Sequence, residues 1–137
     1  MRYLGLDLGS KTLGLAISDK SAVLATSLEV LRYETYEELL EKLEKIIIEK
    51  EVEKIVLGNP LNMSGSISVR SEETFKFKEM LEKRFKLEVI MQDERLSTVE
   101  AEKLLINAGT RREKRKKIID KLAATIILQT YLDRKDK

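Results

Sequence analysis

Arg2-Tyr3-Leu4-Gly5-Leu6-Asp7-Leu8-Gly9-Ser10-Lys11-Thr12-Leu13-Gly14-Leu15-Ala16-Ile17-Ser18-Asp19 is the stretch that decides the fold. Two apolar runs, residues 2–8 and 13–18, flank a set of turn formers, Gly9-Ser10-Lys11-Thr12. A third apolar run, residues 22–31, follows. Three such runs joined by tight turns predict an antiparallel meander. Asp7 lies inside the first run, between Leu6 and Leu8. A carboxylate in an apolar strand is costly unless it is paired or bound to a metal. Gly9 permits the turn, Lys11 is placed to meet a phosphate, and the returning strand carries Gly14. The plainer reading is an ordinary hairpin with a surface lysine.

Beyond residue 31 the period changes. Tyr36, Leu39, Leu40, Leu43, Ile46 and Ile47 fall at helical spacing, which predicts a helix over 35–50. A short strand over 54–57 ends at Gly58-Asn59-Pro60, and residues 58–66 read as a loop. A second helix over 69–85 is expected to bury Phe77, Met80, Leu81 and Phe85, and a strand over 87–91 follows. Ser97-Thr98-Val99-Glu100 fits a capping box, predicting a helix from Ser97 to Ala108 that stops at Gly109. Residues 110–117 are a basic segment. A last helix then carries Ile118, Ile119, Leu122, Ala123, Ile126 and Ile127 on its buried side. The order β-β-β-α-β-α-β-α-α predicts an α/β fold. Its sheet is mixed and five-stranded, a three-strand antiparallel meander plus parallel strands, with helices on both faces.

The bulk numbers set the frame. The 137 residues suit one domain spanning 1–137, and 42% apolar residues supply one core. No run approaches the roughly 18 to 20 apolar residues of a membrane span. Met1-Arg2 leads straight into a strand, which reads as the absence of a signal peptide and makes the cytoplasm the expected location. Cysteine and histidine are both absent. Neither a Ser-His-Asp nor a Cys-His nucleophile can be built, nor a zinc site of the usual kind. Any catalysis must rest on carboxylates, Lys, Arg, Tyr, hydroxyls or a hard metal ion. The 26 basic and 24 acidic residues leave a net charge of only +2, so distribution matters more than the sum.

Two further acidic positions join Asp7. Asp93-Glu94 follows the apolar run 87–91, and Asp120 sits among Ile118, Ile119, Leu122 and Ala123. The small residues Ala123 and Ala124 would let that helix approach the sheet closely, so the three sites could converge. Taken singly each acid reads more readily as structural: a hydrogen-bonded core Asp, a solvated turn, a first-turn helix acid. Together, with no histidine to offer another chemistry, they suit Mg²⁺ or Mn²⁺, two ions being expected, and phosphodiester hydrolysis. The run Arg111-Arg112-Glu113-Lys114-Arg115-Lys116-Lys117 holds six cations in seven residues and leads toward Asp120. Such runs are usually solvated, but beside an acidic metal site this one suits a phosphate backbone. A similar hairpin with an acid at its turn occurs in actin-like ATPases and sugar kinases. Those enzymes enclose a nucleotide between two such domains, and this chain has room for one.

Four ordered motifs make the sequence resemble the YqgF family, small bacterial proteins described as Holliday junction resolvase-like and as pre-16S rRNA nucleases. They are Asp7-Leu8-Gly9 with Lys11, Gly14 and Ser18-Asp19; Gly58-Asn59-Pro60-Leu61-Asn62-Met63-Ser64-Gly65; Asp93-Glu94-Arg95-Leu96-Ser97-Thr98-Val99-Glu100-Ala101; and Asp120-Lys121-Leu122-Ala123-Ala124 with Ile126-Ile127-Leu128. Asn59 and Ser64 depart from the pattern, where an apolar and an acidic residue are usual. The resemblance implies a ribonuclease H-like fold and a cytoplasmic nuclease of ribosomal RNA maturation. It implies catalytic, metal-binding acids at Asp7, Glu94 and Asp120, with Asp93 a second candidate beside Glu94. Lys11, Arg95, Arg111, Arg112, Lys114, Arg115, Lys116 and Lys117 are the expected phosphate contacts, and Gly9, Gly14 and Gly58 the structural glycines. The expected partner is precursor rRNA, with branched DNA as the alternative substrate and a non-catalytic nucleic-acid-binding module as the alternative class. No membrane is expected as a partner, and the chain is expected to be a monomer or weak homodimer.

Overall fold

Strand alternation gives the sheet two unlike faces, and the difference positions everything else. The computed structural model describes residues 1–135, the side chains of residues 96 and 97 excepted. Strands β1 (Arg2–Leu8), β2 (Thr12–Ser18) and β3 (Ala25–Arg32) form the antiparallel meander. Then come α1 (Tyr36–Glu49), β4 (Val52–Asn59), α2 (Val69–Phe85), β5 (Glu88–Asp93), α3 (Glu94–Asn107) and α4 (Arg112–Arg134). The sheet has five strands in the order β3-β2-β1-β4-β5. β4 runs parallel to β1, and β5 parallel to β4. The carboxyl ends of these three strands therefore share one rim, where open α/β sheets form their ligand crevices.

One face is built from large side chains. Leu4, Leu6 and Leu8 of β1, Leu13 and Leu15 of β2, and Ile55 and Leu57 of β4 pack against Leu39, Leu40 and Leu43 of α1 and Phe77 and Leu81 of α2. Each such leucine contributes about 2 kcal/mol by leaving water. The other face is built mainly from small residues, with Tyr3 and Val56 among them. Gly5, Gly14, Ala16 and Gly58 lie under α4, which seats Ala124, Ile127 and Leu128 there. A Cβ at Gly5 would stand 2.7 Å from the Leu128 Cβ, and one at Gly58 2.6 Å from the Ile127 Cδ1. The helix is that close because these positions carry no side chain to hold it off. Among the described residues no helix is long and apolar enough to cross a membrane.

Most expected elements are present, with corrections at the two ends that matter. The strand expected over 54–57 runs from Val52 to Asn59, so Gly58 and Asn59 belong to it rather than ending it. Of the residues expected to be buried on α2, Phe77 and Leu81 are, while Met80 and Phe85 are half-buried. The capping box at Ser97 does not start α3. The helix begins at Glu94, with Asp93 as N-cap accepting from the Arg95 N–H at 2.9 Å. The described side chains do not include Ser97, but its backbone already lies inside α3. The basic segment, expected to precede the last helix, is mostly part of it: α4 starts at Arg112, so Asp120 lies more than two turns in.

Candidate active site

Asp7 is the penultimate residue of β1 and faces the α4 side, opposite Gly14 of β2. It is half-buried. β5 passes into α3 with no intervening loop, Asp93 ending the strand and Glu94 opening the helix. That junction sends the Glu94 side chain back across the end of β4. A Cβ at Gly58 would lie 3.0 Å from both Cγ and Oε1 of Glu94, so only glycine leaves room for it. The Glu94 carboxyl meets that of Asp7. Burial, then the Asp7 charge and its hydrogen bond, push the Glu94 pKa up to about 8, against the opposing charge of Arg70.

Asp120 reaches the same cleft from α4, which it lines with Asp7, Glu94, Arg70, Thr98 and Ala123. It is exposed. Among the described residues no group of three acidic side chains is already gathered tightly enough to hold an ion. The structure thus brings Asp7 and Glu94 into contact and leaves Asp120 on the rim. The donor set is all carboxylate oxygen, and two of its members repel each other at close range once both are ionised. Both facts fit a hard divalent cation, which would relieve the repulsion. From Asp7 and Asp120 the cleft continues between α4 and the β2–β3 pair, past Thr12, Gly14, Ser27 and Thr125.

The expected phosphate contacts separate into groups. Lys11 is exposed in the β1–β2 turn, 4.0 Å from Glu34. Arg95 is occupied: Nε lies 3.0 Å and NH2 2.6 Å from Asp93 Oδ2, and NH1 donates to the Met63 carbonyl at 3.2 Å. This fork holds the Asp93 carboxyl below its ordinary range. Arg115 is likewise occupied, by Glu102 at 2.9 Å and the Thr110 carbonyl at 2.9 Å. Arg112 and Lys116 line a concavity that runs with Thr98 and Glu102 to Asp120. Arg111, Lys114 and Lys117 lie around the turn between α3 and α4. Among the glycines, Gly58 is required by Glu94 and Ile127. Gly9 closes the turn, its N–H donating to Thr12 O at 2.8 Å. Gly14 is looser, its missing Cβ 3.6 Å from that of Ala124.

Sequence reasoning missed Arg70. From the first turn of α2 its NH2 donates to the Leu8 carbonyl at 2.8 Å, which sets its positive charge beside the acids. An exposed arginine at a helix start carries no signal of this; the contact depends on how α2 docks.

A mixed five-stranded sheet in this order, with helices on both faces, is a ribonuclease H-like fold. Solved structures agree on the fold. Thermus thermophilus RuvC in complex with a Holliday junction substrate superposes with a TM-score of 0.60 at 14% identity, over 96% of this chain and 92% of that one. The fowlpox virus resolvase with Holliday junction DNA gives 0.52 at 13% identity, covering 100% of both chains. The family model described as "RuvX: Holliday junction resolvase" matches residues 1–134. A Geobacillus sp. (strain WCH70) protein, "Putative pre-16S rRNA nuclease", is 50% identical over 98% of this chain and 99% of its own. One of the same description from Halothermothrix orenii is 49% identical over 100% of this chain and 98% of its own. The chain belongs to the RuvX family, the YqgF family of the motif reading.

Proposed function

We propose that this chain, acting as one domain in the cytoplasm, is a divalent-metal-dependent nuclease that hydrolyses phosphodiester bonds in structured RNA. Its substrate is the 5′ end of precursor 16S rRNA. The observation that carries the chemistry is the carboxyl pair of Asp7 and Glu94, packed together where Gly58 leaves space. The substrate follows the relatives described as pre-16S rRNA nucleases.

Asp7, Glu94 and Asp120 would hold one or two Mg²⁺ or Mn²⁺ ions. Bound there, the ions supply a water of lowered pKa and neutralise charge on the scissile phosphate. The chain's own groups do the rest. Asp7 is held rigidly by the central strand and shares its cleft with both other acids. Glu94 gives up its proton on loading, so binding is tighter at higher pH. Arg70, fixed to the Leu8 carbonyl, keeps a positive charge beside the reacting phosphate. Arg112 and Lys116 carry the backbone toward Asp120.

The family description, and neighbours solved with junction DNA, favour branched DNA as a second substrate. Junction cutting on two strands calls for a symmetric dimer, so a strict monomer speaks for RNA. The test is an assay of precursor rRNA and four-way junction DNA side by side, with Mg²⁺ and with Mn²⁺. Asp7→Asn and Asp120→Asn are expected to abolish cleavage while far-UV circular dichroism stays unchanged. Cleavage by Asp7→Asn at the wild-type rate would sink the assignment.

A further inference from the structure

We infer that Asp93 and Arg95 are positioning residues that fasten the loop of residues 60–68 beside the acid pair, and that Asp93 takes no part in holding metal. The inference rests on the nuclease reading above and divides the work of two adjacent acids.

The loop is pinned next to the site at both ends. It leaves β4 after Asn59, the neighbour of Gly58, whose missing side chain makes room for Glu94. Ser71 donates to the Asn59 Oδ1 at 2.6 Å, and Ser68 donates to the Pro60 carbonyl at 2.6 Å. It returns through Ser68, which caps α2, into Arg70 at the cleft. Between these ends the chain closes on itself: Asn62 N–H donates to Ser66 O at 3.0 Å and Gly65 N–H to Asn62 O at 2.8 Å.

Among the described residues, one hydrogen bond enters residues 61–67 from outside the segment 59–68. It is Arg95 NH1 to the Met63 carbonyl, at 3.2 Å. Gly65, at φ +92°, lies against the same guanidinium; a Cβ there would be 3.2 Å from NH1. Arg95 is in turn gripped by both Asp93 oxygens. Asp93 also caps α3 through the Arg95 N–H and does not line the cleft shared by Asp7, Glu94 and Asp120. A carboxylate so engaged serves the arginine rather than an ion.

The loop's chemistry indicates what it holds. Residues 60–69 include no charged side chain, and Met63 and Ile67 are exposed beside the Ser64 and Ser66 hydroxyls. Such a surface suits sugars and bases, not phosphates. Ordering it before the substrate arrives lowers the cost of binding and leaves the chemical step alone.

The decisive comparison is between Asp93→Asn, Arg95→Gln and Glu94→Gln. Asn is itself a good N-cap, so Asp93→Asn keeps the start of α3 and removes the ionic fork. Expected for Asp93→Asn and Arg95→Gln are faster hydrogen exchange at the Asn62 and Gly65 amides and Mn²⁺ affinity by calorimetry within about twofold of wild type. Expected as well is a KM for an RNA hairpin raised about tenfold, with kcat little changed. Glu94→Gln is expected to do the reverse, losing Mn²⁺ and keeping loop protection. Loss of Mn²⁺ binding in Asp93→Asn, or unchanged loop exchange in Arg95→Gln, would overturn the inference. If wild type neither binds Mn²⁺ nor cuts nucleic acid, the nuclease reading fails, and the exchange data still decide whether the fork holds the loop.

Discussion

In the metal-free chain the Glu94 carboxyl keeps its proton up to about pH 8, against an ordinary value of 4.5, through burial and the adjoining Asp7. Between those two values the folded chain binds more protons than the unfolded one. The stability this group contributes is therefore complete below pH 4.5 and is lost as pH rises through 8. Each unit inside the window removes up to about 1.4 kcal/mol. Calorimetry of the metal-free protein is expected to show Tm falling from pH 5 to pH 8, a flatter profile for Glu94→Gln, and recovery on adding Mn²⁺. A flat wild-type profile would show that the Glu94 carboxyl is not held protonated beside Asp7. Gly58 and Gly14 give a second contrast. Gly58→Ala forces a Cβ into Ile127 and Glu94, whereas Gly14→Ala meets Ala124 and Asp7 at ordinary contact distance. The first is expected to cost about 1–3 kcal/mol and most of the activity, the second under about 1 kcal/mol, both by denaturant titration. Asp7 was legible from sequence because a charge in an apolar strand violates a local rule. Arg70 was not, because an exposed arginine violates none.

At the scale of elements, the starts of α3 and α4 were the hard part. Ser97 and Glu100 offered a capping box, and Asp93 offered a competing cap that prevails because β5 delivers it straight to the helix. The Lys/Arg run read as a solvated segment ahead of the last helix, yet lysine and arginine are good helix formers and continue into the apolar stripe of α4. The correction changes what the cations do. Arg112, Lys116 and Asp120 fall at i, i+4 and i+8 of one helix, a row about 12 Å long that leads into the cleft. Removing two phosphate contacts on that row should lower the salt dependence of binding by about 1.5 units in the log–log slope. Filter binding of RNA by Arg112→Ala/Lys116→Ala across a salt series measures this; an unchanged slope would show that the row does not meet the backbone.

Across the whole molecule, stability is unevenly distributed. Among the described residues α3 buries no side chain, and Arg115–Glu102 and Arg134–Glu100 are its ionic ties to α4. β1 and β4 are enclosed by helices on both faces. Hydrogen exchange is expected to release α3 amides first and those of β1 and β4 last; equal protection would contradict this. The α/β order was legible because the apolar period changes after residue 31, but the two-faced sheet was not, since Leu4, Leu6 and Leu8 of β1 alternate with the dissimilar Tyr3, Gly5 and Asp7. The close seat of α4 was only half legible, since Ala123 and Ala124 announce it and the glycines beneath could equally have marked turns. The two faces also differ in what sequence drift they forgive. Leu4, Leu6 and Leu8 are specified by volume, and another aliphatic of similar size can serve there. Gly5 and Gly58 are specified by distance, and no other residue meets that requirement. In a randomised library, adjacent residues of one strand would change at different speeds, according to which way each of them points.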